Sequence, residues 1–508
     1  MFGAVLLSFV GPLILWRLYA FTIKPWCRPN EPKEIPYWIP YLGHGIPYVQ
    51  NGLGLISGAR KYFNDTREPF AITIFGKKLY FVTSPEDATA FFKESETLSF
   101  DKIVREIASS FGVSDTALYD FNRQPLGEKD DVVSRKTGIK NPHLKSLSQL
   151  NKDFMKQQFL PGERYYELQD RFLGYIETSL IQVNTSNKPA TCEAASHEHT
   201  SLMEWSQSVL IDAGVRALFG DKLLELDPDL PKHFLKFNDE LWKLLYKWPG
   251  ATQTRAAKSQ CIKTIQQYLA LPKHERPGAA YVVEVMEATQ RALGIPEDDI
   301  ATVLFMLLWS TNTNTYKLLF WALAHLLQDP DLLATIRDET APAIKPGKGV
   351  SIPYLIDSCP WLSALFNEVL RVYDGVSSTR LVTAPTSIGG KALPVGSRVV
   401  VPVQQLHFNR SIYGPDVNEF APERFIRSKN LTHSSSYRPF GGGTSYCPGR
   451  LLARQEVSVF IALALARFDV EIVGERGVPV VDKGLPAGGV MSPKPGEDLL
   501  LRLSPRSV

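Results

Sequence analysis

"FGGGTSYCPGR" spans residues 440–450 and sets one cysteine, Cys447, on a run of glycine. Pro-Gly and the apolar-striped stretch "GRLLARQEVSVFIALALARF" follow it. Pro448 suits the first position of a helix, so the spacing predicts a thiol at a helix N-terminus, where partial positive charge favours thiolate. Gly441, Gly442 and Gly443 remove side chains, so the backbone can approach something flat and large. The competing readings of a lone cysteine are a buried, inert thiol and a Cys-His nucleophile. The glycines, the Pro-Gly and the long apolar helix do not suggest the nucleophile.

The rest of the chain narrows the choice. It has 508 residues, 44% hydrophobic and 21% charged, which suits a globular protein with a large core. Lys+Arg exceeds Asp+Glu by only 3, 56 against 53, which argues against nucleic acid as a partner. Five scattered cysteines with no CxxC pair point away from a disulfide framework or structural zinc and toward a reducing compartment.

The N-terminal stretch "MFGAVLLSFVGPLILWRLYAFTI" (1–23) is apolar except for Arg17. It reads as one transmembrane helix, with Lys24, Arg28 and Lys33 placing the bulk of the chain in the cytosol. A cleaved signal peptide is the rival reading, disfavoured by the lack of a basic start. The proline-rich segment 24–48 reads as an extended spacer. Residues 49–508 form the body of the chain, and length alone suggests roughly three domains. Within it "PFAITIFGKKLYFVTS" (69–84) reads as a β-hairpin and "GSRVVVPVQ" (396–404) as a strand. A final hairpin is expected around "PKPGEDLLLRL", and 183–201 reads as a surface loop. Helical patterns dominate from about 85 to 380, so the fold class is mainly α with a minor β part.

Two internal patterns carry chemistry. In "PEDDIATVLFMLLWSTNTNTYKLLFWALAHLLQDP" apolar runs flank the polar stretch "STNTNT" at 310–315. A loop between two buried helices is one reading. One long buried helix with a polar centre is the sharper one, because such a conflict marks functional sites. In "WLSALFNEVLRVY" (361–373) Glu368 and Arg371 are i and i+3 and share a face. Arg424 in "NEFAPERF" could close a clamp in which two guanidiniums bracket one carboxylate.

A thiolate over a flat partner is what a heme iron requires, and here the sequence resembles the cytochrome P-450 family of heme-thiolate monooxygenases. "FGGGTSYCPGR" matches its signature F-x-x-G-x-x-x-C-x-G at every fixed position, "EVLR" its E-x-x-R, and "PERF" its fourth landmark in order. The resemblance covers the whole chain and implies a single, mainly α catalytic domain over residues 49–508 in place of the three that length suggests. It implies heme b with Cys447 as axial ligand, and Phe440, Gly443, Gly449 and Arg380 as further cofactor-binding residues. Arg380 falls where the family often binds a heme propionate. Ser445 stands where a basic residue is common, with His143 and Lys145 as candidate replacements. Glu368, Arg371 and Arg424 would form the structural clamp. Thr313 stands at the family's proton-handling acid and Asn314 at its threonine, with Thr315 following. An amide holds water but does not cycle a proton near neutral pH. This variant is similar to the branch of sterol and bile-acid hydroxylases and prostacyclin synthase. The resemblance also looks fungal, and many fungal members tailor terpenoids, polyketides or alkaloids.

The expected activity is therefore insertion of one oxygen atom into a lipophilic substrate. Phe305, Leu308, Trp309 and Val376–Ser378 are expected to line its pocket. NADPH electrons would come from a partner reductase, with cytochrome b5 as a further candidate partner. The body would face the cytosol from the endoplasmic reticulum membrane. A rearrangement enzyme independent of NADPH is the alternative. A heme-binding sensor or carrier without turnover is the alternative of another class.

Overall fold

The computed structural model describes residues 2–185, 199–345, 349–484 and 488–506. The expected loop at 183–201 therefore lies largely outside the described residues. Contacts divide the chain into two compact units: Met1–Val104 with Asn367–Cys447 and Val481–Ser492, and Arg105–Phe366 with Pro448–Val480 and Pro493–Val508.

The first unit is built on a six-stranded sheet. Its strand order is Lys33–Glu34, Phe70–Ile74, Lys77–Phe81, Arg398–Pro402, Ser377–Val382 and Leu98–Ser99. Phe70–Ile74 and Lys77–Phe81 form the expected hairpin, Phe70 opposite Phe81. Phe75 and Gly76 have positive φ at the turn, as two-residue hairpin loops prefer. Arg398–Pro402 lies parallel to Lys77–Phe81 and antiparallel to Ser377–Val382. The helix Pro85–Lys93 starts at Ser84, whose hydroxyl accepts from the Asp87 N–H at 3.0 Å.

The second unit is mostly helical. Its main helices include Leu202–Phe219, Leu230–Leu245, Thr252–Ala270, Glu297–Asn312, Thr315–Leu326 and Arg450–Arg467. A three-stranded sheet of Phe468–Ile472, Leu500–Pro505 and Thr200–Ser201 accompanies them. The C-terminal strand thus pairs with the strand after the last helix, and the expected terminal hairpin is corrected to this longer-range pairing.

The N-terminus also departs from expectation. In place of one helix over 1–23, an α-helix Phe2–Leu18 gives way to a π turn Tyr19–Ile23 and a short helix Lys24–Cys27. Among the described residues no helix is long and apolar enough to cross a membrane. Seventeen residues rise about 26 Å, short of a hydrocarbon core of about 30 Å. Arg17 interrupts the apolar run and turns back on the chain, donating to the Tyr37 carbonyl and lying 4.1 Å over the Trp38 ring.

Candidate functional site

The cysteine loop is held by its own backbone. The Cys447 N–H donates to the Phe440 carbonyl at 3.1 Å, and the Tyr446 N–H to that of Gly443 at 3.3 Å. Cys447 is exposed. Cys261 and Cys359 are buried, and burial pushes the Cys359 thiol up to about 11 and Cys261 higher still. Of these three thiols only Cys447 is exposed. The helix begins at Arg450 with Gly449 as its cap, two residues later than Pro448 was expected to start it.

The glycines meet a protein partner. A Cβ on Gly443, whose φ is +58°, would sit 2.0 Å from the Phe92 carbonyl oxygen, and one on Gly442 would meet the Phe92 ring at 3.1 Å. The glycine run therefore fits the end of the helix Pro85–Lys93 against the cysteine loop. Arg380, 1% exposed, ties the same parts together. It donates to the carbonyls of Phe91 at 2.8 Å and Glu94 at 2.5 Å, and to the Ser445 hydroxyl at 3.2 Å. Its Nε has no partner. Ser445 thus serves as an acceptor for Arg380. Lys145, in the other unit, pairs with Asp153 at 2.5 Å.

The clamp is complete. Arg371 donates from Nε and Nη2 to both Glu368 oxygens at 2.7 and 2.6 Å. It also donates to the carbonyls of Val417 and Glu419, each at 2.8 Å. The Ala421 N–H donates to Glu368 at 2.9 Å, and Arg424 Nε lies 3.6 Å from the same carboxylate. Glu368 and Arg371 have no exposed surface. The sequence reading missed His407. Its Nδ1–H donates to the Arg371 carbonyl at 3.1 Å and its Nε2 accepts the Arg438 N–H at 3.0 Å. Burial, reinforced by the Arg371 charge, pulls it down to about 3. Arg438 lies two residues before Phe440, so this imidazole joins the clamp to the cysteine loop. The only sequence signal was a lone histidine after a strand, too common to single out.

In the second unit the polar stretch opens the central helix. Glu297–Asn312 ends and Thr315–Leu326 begins around Thr313 and Asn314, both with negative φ and ψ in the right-handed helical region. The long-helix and two-helix readings are each half right, because helical dihedrals persist while the ladder breaks. Side-chain back-bonding crowds the turn before the break. Ser310 and Thr311 donate back to the Leu307 carbonyl at 2.9 and 3.0 Å, and Asn312 to that of Leu308 at 2.9 Å. Val303, Met306, Ser310, Asn314 and Lys317 keep accessible surface along one helix face. Phe305 and Leu308, expected to line a pocket, point away from that stripe and are buried, Phe305 against Phe111 and Phe237. The Thr315 hydroxyl is hydrogen-bonded to Glu456, a buried carboxyl that burial pushes up to about 8. Glu456 was not singled out from sequence, although it lies nine residues after Cys447.

With this geometry in place, the comparisons give the family. The description "Cytochrome P450" matches residues 149–500. A cytochrome P450 monooxygenase of Penicillium oxalicum, poxD, is 23% identical over 93% of this chain and 94% of its own. The human 7-alpha-hydroxycholest-4-en-3-one 12-alpha-hydroxylase is 24% identical over 99% and 98%. A retinoic acid-bound cyanobacterial CYP120A1 superposes with a TM-score of 0.69 at 18% identity, covering 94% of this chain and 100% of that one, which shows the fold. The chain belongs to the cytochrome P450 family. It is a heme-dependent monooxygenase of lipophilic substrates whose heme iron is thiolate-ligated, with electrons from a partner reductase. The residues present fit that cofactor: an exposed thiol suits a soft metal ligand, and Arg380 retains an unpartnered donor at Nε for an anionic edge.

Proposed function

We propose that Cys447 is the axial iron ligand and that the chain hydroxylates a fused-ring or isoprenoid lipophile in secondary or sterol-type metabolism. The observation that carries this reading is the opened central helix beside a protonatable carboxyl. At Thr313–Asn314 the backbone departs from its ladder, and Thr315 is bonded to Glu456. The heme supplies oxygen activation when bound. The protein's own part is to hold water and pass protons at a dry site. Asn314 and Thr313 hold the water, and Thr315 relays between it and Glu456. A carboxyl near pKa 8 supplies what an amide at the threonine position does not. Bile-acid hydroxylases and fungal monooxygenases among the relatives support this substrate class.

The amide at 314 also favours a second reading, peroxide rearrangement without NADPH. Turnover of a lipophile panel under isotopically labelled O₂ separates the two. Labelled product that requires NADPH and the reductase supports hydroxylation, and product formed without either supports rearrangement. In parallel, the reduced carbon-monoxide complex of the wild type should show a strongly red-shifted Soret band that Cys447→Ala abolishes. A band unaffected by the substitution would overturn Cys447 as ligand.

We further infer that the N-terminal segment holds the chain on the endoplasmic reticulum membrane, body toward the cytosol, with cytochrome b5 as a second electron donor. Trp26, Trp38, Ile39 and Tyr41 are 84%, 60%, 58% and 75% exposed, an apolar and aromatic surface suited to an interface. Removing residues 1–27 should release the protein from membranes into the soluble fraction. Retention after that deletion would place the attachment elsewhere.

A further inference from the structure

One residue outside the family landmarks meets the opened stretch at three points. Asn238 lies on the helix Leu230–Leu245. Its Oδ1 accepts from Trp309 Nε1 at 3.1 Å and from the Thr313 hydroxyl. Its Nδ2 donates to the Tyr316 hydroxyl at 3.2 Å. Positions 309, 313 and 316 are i, i+4 and i+7, one face of the helix. They lie one turn before the break, at it, and just beyond it. An amide suits this task, because its carbonyl oxygen accepts two donors while its NH₂ donates, and it does not titrate. Around it, Phe111 packs on Trp309 at 5.3 Å between ring centroids, and Tyr316 is 1% exposed.

We propose that Asn238 is a positioning residue for the monooxygenase reaction: it fastens the central helix on both sides of its opening and so fixes where Thr313 and Asn314 present their side chains. The helix there has given up part of its own ladder, so its geometry depends on outside partners. Asn238 holds one side and Glu456 engages Thr315. Because Asn238 sits on a separate helix, a shift of Leu230–Leu245 reaches the opening through this amide as well as through the packing of Phe237 on Phe305. The importance of that opening for oxygen chemistry rests on the function proposed above, but the fastening itself does not.

The test uses the reduced, carbon-monoxide-bound holoenzyme and two readouts. Amide hydrogen exchange across residues 305–320 reads the fastening, and the infrared C–O stretch of the bound probe reads its consequence at the heme. Asn238→Leu should speed exchange at 313–318 by about tenfold, whereas Asn238→Asp, which keeps both acceptor bonds, should stay within about twofold of wild type. The C–O band should shift or broaden in the Leu variant alone. Unchanged exchange in Asn238→Leu overturns the proposal. Faster exchange with an unmoved C–O band supports the fastening and instead overturns the water-holding role of Thr313 and Asn314. If Asn238→Leu yields no holoenzyme, Thr313→Val cuts the same bond from the other side. Faster local exchange there supports the proposal and wild-type exchange overturns it.

Discussion

Two polar regions, one in each unit, are built on opposite principles. Around Glu368 every charge has a partner: both carboxylate oxygens are bonded, and Arg371 spends its remaining donors on backbone carbonyls. The exceptions are Arg424 Nε, 3.6 Å from that carboxylate, and the Tyr413 hydroxyl, which lack a hydrogen-bond partner. Around Thr313 and Asn314 the hydrogen bonds go back into the helix or out to neighbouring helices, and one stripe of the helix stays accessible. A completed buried network specifies one geometry, whereas a helix that has surrendered its ladder keeps groups available for something else. The contrast separates structural polarity from chemical polarity without any knowledge of a substrate.

The comparison breaks most readily at the clamp. Glu368→Ala leaves Arg371 buried without its carboxylate, at a cost of about 3–5 kcal/mol. It should give no stable holoenzyme, read as heme content and the reduced carbon-monoxide spectrum. A stable, thiolate-ligated variant would show that the clamp is not structural. Gly443→Ala comes next. It forces a side chain into positive φ and toward the Phe92 carbonyl, and should cost about 1–3 kcal/mol, seen as a lower urea midpoint with easier heme loss. Asn314→Ala should do the reverse: little change in urea midpoint, but about tenfold more hydrogen peroxide released per product formed, as expected when a water-holding contact is lost. Were Asn314→Ala to lower the urea midpoint as far as Gly443→Ala does while leaving peroxide release unchanged, the division between the two regions would collapse.

What was legible in the sequence follows the same division. Glu368 and Arg371 could be paired from spacing because the i, i+3 rule is local, and Arg424 was added as a candidate for its bidentate donors. Cys447 was legible for the same reason. The close approach of Gly442 and Gly443 to Phe92 was not, because Phe92 is more than three hundred residues away and no local pattern announces its carbonyl. Nor were Asn238, Glu456 and His407, each of which acts through a partner distant in the chain. Helix phase at Phe305 and Leu308 was not legible either. They look as apolar as Val303 and Met306, and only the helix rotation decides which face keeps accessible surface. The N-terminal helix misled through length, since apolar composition continues past Leu18 while the α-helical ladder does not.

The smallest predicted effect is one of pH, and it tests whether the clamp region is as fully satisfied as it looks. His407 donates from Nδ1 and accepts at Nε2, so only the neutral ring fits, and a second proton would face the Arg438 N–H and lie near the Arg371 charge. Its folded value of about 3 lies below the ordinary 6.5. Between those values the unfolded chain binds a proton that the folded one refuses, so the stability from His407 is full above about 6.5 and lost as pH falls toward 3. Asp374 runs the other way: burial raises it to about 8, so its contribution is greatest below about 4 and declines as pH rises to 8. Glu368, Arg371, Arg438 and Tyr437 face the same network and do not change between variants. His407→Gln removes the titration but keeps a neutral donor and acceptor. Urea midpoints at pH 7 and pH 5 should fall more for wild type than for His407→Gln, the difference isolating the imidazole from Asp374. Equal falls would mean that His407 takes up its proton in place, and that the clamp region tolerates a charge its hydrogen bonds leave no room for.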